Sequence, residues 1–124
     1  MVNETFGWIS VLVGVALGLY MGVKFQREDW LGGYGSFPRR MVRLSHVALV
    51  ALGMLNIQFG QSRSRLALGP SAAGAASVAF ICAAVLMPAC CLWLAARRRH
   101  FELFAAPIAC LAAGLILTIG GLMR

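Results

Sequence analysis

The sequence predicts an all-α integral membrane protein: four transmembrane helices in a bundle, with both termini on the non-cytoplasmic face (N-out/C-out). Three observations predict it. Of 124 residues, 60% are hydrophobic and 12% charged, which is too little polar surface to wrap a soluble core of that size. The mean hydropathy is +0.82, pointing to lipid as the solvent. Four stretches close to the roughly 20 apolar residues that cross a bilayer take up most of the chain, so residues 1–124 read as a single transmembrane domain.

Span one covers about residues 6–23. It lacks a basic segment ahead of it, carries Glu4 before the apolar run, and is too long for the core of a cleaved signal, so it reads as a retained helix. Span two covers about residues 42–59, span three 72–95 and span four 103–122. Each is apolar on all sides without period-two alternation, and helices alone satisfy their own backbone groups in lipid. Small residues recur every fourth position in three of them: Ser10, Gly14, Gly18 and Gly22; Ala75, Ala79 and Ala83; Ala106, Cys110, Gly114 and Thr118. Such stripes let helix backbones approach closely, and the partner can lie in this chain or another. Pro88 is expected to kink span three.

Orientation follows from the cations. The loops at 24–41 and 96–102, with Arg43 at the border of the first, hold Lys24, Arg27, Arg39, Arg40, Arg43, Arg97, Arg98 and Arg99; the other side holds Arg63, Arg65 and Arg124. Eight against three puts the two basic loops in the cytoplasm and the chain in a bacterial inner (cytoplasmic) membrane as a multi-pass protein. The net charge of +7 is then explained by topology and anionic headgroups rather than by nucleic acid.

The first basic loop interleaves Trp30, Tyr34 and Phe37 with Gly32, Gly33, Gly35 and Pro38. The glycines and proline argue against a regular helix. The rings beside arginine suit the headgroup layer or a docking surface, so Trp30, Tyr34, Phe37, Arg39 and Arg40 form the candidate partner loop. The loop at 61–71 ends in Gly69-Pro70 and reads as a polar turn.

Polarity inside the spans concentrates in span two, at Ser45, His46, Asn56 and Gln58. At 100° per residue, Val50, Gly53, Ile57 and Gly60 share the face of His46, with Arg43 one turn toward the cytoplasm. Three readings of His46 stand side by side. It can ligate a b-type haem, with Gly53 making room for the porphyrin edge and Arg43 pairing a propionate. It can bind a quinone headgroup through the carbonyl oxygen. It can simply hydrogen-bond lipid, water or a neighbouring helix. The other histidine, His100, follows three arginines in a loop, so a second haem ligand would come from Met54, Met87, water or a partner. Asn56 reads as glue between helices, alongside Gly14, Gly18, Gly22 and Gly114.

Cys82, Cys90, Cys91 and Cys110 all fall within spans and form no C-x-x-C, so they read as small packing residues. No nucleophile set, phosphate loop or metal cluster is apparent, which speaks against an enzyme. No Asp or Glu lies within a span, which removes the usual proton-coupling carboxylate of small transporters. The expectation is an accessory subunit of a larger electron-transfer complex, respiratory or photosynthetic. It would hold other integral-membrane subunits by helix packing within the lipid bilayer and contribute to a haem or quinone site. The alternative is a stand-alone homo-oligomeric channel or transporter.

Overall fold

A computed structural model describes residues 2–123; Arg124, counted in the orientation, lies outside them. The helices are α1 (Val2–Lys24), α2 (Phe37–Ser62), α3 (Pro70–Arg97) and α4 (Ala105–Leu122), with single 3-10 turns at Trp30–Gly32, Arg63–Arg65 and Phe101–Phe104. All four, α4 taken with the turn before it, are long and apolar enough to cross a membrane.

The helices begin and end where their capping chemistry allows. The Ser36 hydroxyl accepts the Arg39 N–H at 3.3 Å, and Pro38 sits in the first turn of α2. That proline therefore starts a helix: its missing N–H costs nothing in a first turn and its φ is already helical. Consequently α2 begins ahead of the apolar run, and at its other end it continues past that run to Ser62. Pro70 opens α3 in the same way after Gly69. Farther on, α3 continues as one helix through Pro88, forgoing the hydrogen bond that a residue-88 N–H would give Ala84. It stops at Arg98, held left-handed at φ 50, whose N–H reaches the Leu94 carbonyl at 2.9 Å.

Helices α2 and α3 form the centre, α1 packs on α2, and α4 packs on α3. The Phe59 and Phe80 rings meet at 5.0 Å between centroids, with Leu66 and Ala76 around them. A second cluster joins Ala48 and Leu52 of α2 to Ala84 of α3. The outward faces of α1 and α4 stay apolar, with Leu12, Val15 and Leu19 on one and Ile108, Ile116 and Ile119 on the other. The two basic loops share one end, where the Phe37 and Phe101 rings meet at 5.9 Å and Arg98 lies over Phe37. The third loop closes the opposite end, its Ala67 N–H donating to the Gly121 carbonyl at 3.0 Å.

Candidate functional site

The seam between α1 and α2 collects most of the polar side chains of the spans. Its register is antiparallel: Gly18 meets His46, Gly14 meets Val50, Gly7 meets Ile57 and Gly60 meets Glu4. Gly7 and Gly53 bring the two backbones closest. A Cβ on Gly7 would lie 2.5 Å from the Gly53 carbonyl oxygen, and one on Gly53 would lie 2.9 Å from that of Gly7. Glycine is needed here for space, because backbone cannot step aside as a side chain can. Gly22, though in the same stripe, has no such neighbour within 4 Å.

Three sets of polar contacts stitch the seam. His46 Nδ1 lies 2.7 Å from the Gly14 carbonyl oxygen. A carbonyl only accepts, so Nδ1 carries a proton and donates, and Nε2 is the ring nitrogen left for another partner. The Ser10 hydroxyl donates to the Leu49 carbonyl at 2.8 Å. At the end away from the basic loops, Asn3, Asn56 and Ser77 join three helices. Asn3 Nδ2 donates to Asn56 Oδ1 at 2.8 Å and to the Ser77 carbonyl at 3.3 Å. Asn56 Nδ2 donates to the Leu52 and Phe80 carbonyls at 2.9 and 3.1 Å, and the Ser77 hydroxyl donates to Asn3 Oδ1. With Asn3 3% and Asn56 0% exposed, a missing partner would leave a buried amide unsatisfied. None is missing.

The sequence-derived residues thus separate. His46 lies in the seam, its ring against Gly18. Gly53 is covered by Gly7, Ser10 and Val11 of α1, so a porphyrin edge does not fit on it while α1 stays in place. The Arg43 guanidinium sits 4.7 Å from the Tyr34 ring centroid. Gly14, Gly18 and Asn56 pack helices within this chain, and Gly114 does so beneath the Phe80 ring. Asn3 and Ser77 join a site to which the sequence had assigned neither. A shallow apolar groove of about 240 Å³ opens between Ile9 and Val13 of α1, Leu49 of α2, and Val85 and Pro88 of α3. Among the described residues no group of His, Cys, Asp and Glu is arranged to hold a metal ion.

The first basic loop folds back on itself around Arg39. This side chain is 1% exposed. Its guanidinium carbon lies 4.4 Å from the Phe25 ring centroid, 5.3 Å from Tyr34 and 5.7 Å from Trp30. Nη2 donates to the Phe25 carbonyl at 3.2 Å, while Nε and Nη1 are sealed in without an acceptor. The turn that brings Trp30 over needs Leu31 at φ 54 and ψ 28, followed by Gly32 and Gly33 at positive φ. A left-handed leucine costs about 1–2 kcal/mol, offset in part by the Ser36 hydroxyl donating to the Leu31 carbonyl at 2.7 Å. Of the candidate partner loop, Trp30, Tyr34 and Arg39 therefore come together. Phe37 turns instead to Phe101, and Arg40 is exposed.

No known protein family, curated protein or solved structure matches this chain.

Proposed function

We propose that the chain is a multi-pass accessory subunit of a larger electron-transfer complex in a bacterial inner membrane, with both basic loops in the cytoplasm. One observation carries the reading. Asn3, Ser10, His46, Asn56, Ser77 and Thr118 direct hydrogen bonds onto other groups of this chain, Ser45 is buried without a partner, and the outward faces of α1 and α4 are apolar. Such a molecule is a preorganised scaffold for neighbouring helices and lipid. Asn56, the residue a permeation path would use, is fully buried in its network.

The electron-transfer part rests on His46. A backbone carbonyl on Nδ1 is the arrangement that orients a histidine whose Nε2 ligates a metal or accepts a proton donor. Because α1 covers Gly53, a haem or quinone at Nε2 would lie between this chain and a partner, which would supply the remaining walls and any second ligand.

The test is the visible spectrum and subunit composition of the complex purified from native membranes. Several co-purifying chains, and a Soret band lost on His46→Ala, are expected. A colourless homo-oligomer that conducts ions in liposomes contradicts the proposal. Orientation is tested by labelling cysteines introduced at Ser64 and Gly33 from outside intact cells: Ser64 should label, and labelling of Gly33 alone reverses the topology.

A further inference from the structure

We propose that Arg39 and Arg43 form a site for the phosphate of an anionic phospholipid headgroup, with the Tyr34 ring as its movable cover. The inference rests on the membrane reading above, because it places this end of the bundle at headgroup depth. It begins from a charge without a counter-charge. Buried guanidinium groups are ordinarily paired, yet Arg39 makes a single hydrogen bond, to a backbone carbonyl, and keeps Nε and Nη1 free of any acceptor. Two of the chain's four acids, Glu28 and Asp29, lie in this same loop, yet among the described residues the one ion pair joins His100 to Glu102 on another loop.

A second cation reinforces the first. Arg43 follows Arg39 by one turn of α2, and both guanidinium groups approach the same ring, at 4.7 and 5.3 Å from the Tyr34 centroid. Like charges at this spacing repel. Arg39 also lies in the first turn of α2, where the helix dipole adds positive potential. All three contributions favour an anion, and phosphate accepts hydrogen bonds from arginine with directional strength.

Of the three rings against Arg39, Tyr34 is the exposed one and the natural point of access. Tyr34 is 68% exposed, and it follows the strained Leu31 and two positive-φ glycines, so swinging it outward gives up little packing. The rings of Phe25 and Trp30 stay against Arg39 as walls. The outward faces of Leu19 and Val23, on the last turns of α1, offer apolar surface to the acyl chains.

The experiment uses the full-length chain in detergent, titrated with phosphatidylglycerol or phosphatidylcholine and followed by native mass spectrometry. Phosphatidylglycerol is expected to bind about tenfold more tightly, and Arg39→Gln to remove that preference. Arg40→Gln makes the same charge change on the exposed neighbour and should shift binding by about twofold. Tyr34→Ala should tighten binding. Should Arg39→Gln fail to fold, Arg43→Gln is measured in its place and should weaken binding severalfold. Equal losses for the Arg40 variant and for the Arg39 or Arg43 variant overturn the site in favour of diffuse charge. Weakening by Tyr34→Ala overturns the cover, and displacement of the lipid by millimolar inorganic phosphate overturns the lipid as its occupant. Flotation with phosphatidylcholine vesicles separates the two readings: a chain that does not float fails the membrane proposal itself, whereas one that floats without the Arg39 effect fails only this site.

Discussion

The two outer helices are fastened by different chemistry. Helix α1 meets α2 through glycine backbones in direct contact, with Ser10, His46 and the Asn3–Asn56–Ser77 network bonding across the seam. Helix α4 meets α3 through an apolar knob, the Phe80 ring over Gly114, and is latched at its end by Leu68 against Gly121. In the proposed lipid setting the hydrophobic effect would give neither seam an advantage, and close approach and hydrogen bonding would decide. The first seam is therefore fixed by backbone contact and cross-helix hydrogen bonds, whereas the second is set by side chains seated on glycines.

Substitutions can break or sharpen that contrast. Gly7→Leu should be the most damaging, because its Cβ would lie 2.5 Å from the Gly53 carbonyl oxygen and 3.0 Å from the Ile57 nitrogen; a loss of about 3 kcal/mol or more is expected by unfolding in detergent. Asn56→Leu takes from the buried Asn3 amide its 2.8 Å acceptor, leaving it the longer bond to the Ser77 carbonyl, and should cost about 1–3 kcal/mol in the same assay. Gly114→Ala brings a Cβ to 3.0 Å from a Phe80 ring carbon. Because that ring can tilt, a cost of about 1 kcal/mol or less is expected. Gly22→Ala should be the mildest and opposite in sign, stabilising by roughly 0.5–1 kcal/mol, since nothing lies near its Cβ position and alanine favours the helix. If Gly22→Ala were as harmful as Gly7→Leu, spacing alone would define the seam and the contact geometry would be irrelevant.

The face of α2 was legible in the sequence while its covering was not. Periodicity correctly groups His46 with Val50, Gly53, Ile57 and Gly60, and all five meet α1. A helical face reads the same whether a helix, a porphyrin or lipid lies on it, and Gly53, whose spacing suits a cofactor edge, makes room for Gly7. Asn3 escaped because it precedes the apolar run, and hydropathy does not register a helix that begins before it. Arg39 looked like a headgroup anchor among aromatic residues. Its burial depends on the left-handed Leu31 that folds the loop back, and no residue type announces that conformation. Pro38 was legible as punctuation but with the wrong meaning, since Ser36 ahead of it makes it a helix start.

The central claim is that the polarity of the spans closes α1 onto the rest of the chain, and a double-mutant cycle on Asn3 and Asn56 tests it most directly. With Asn3→Ala, Asn56→Ala and the double variant unfolded in detergent, the two losses should be non-additive, with a coupling of about 1 kcal/mol. Strictly additive losses would mean that the two amides do not meet, and the seam as described would be wrong.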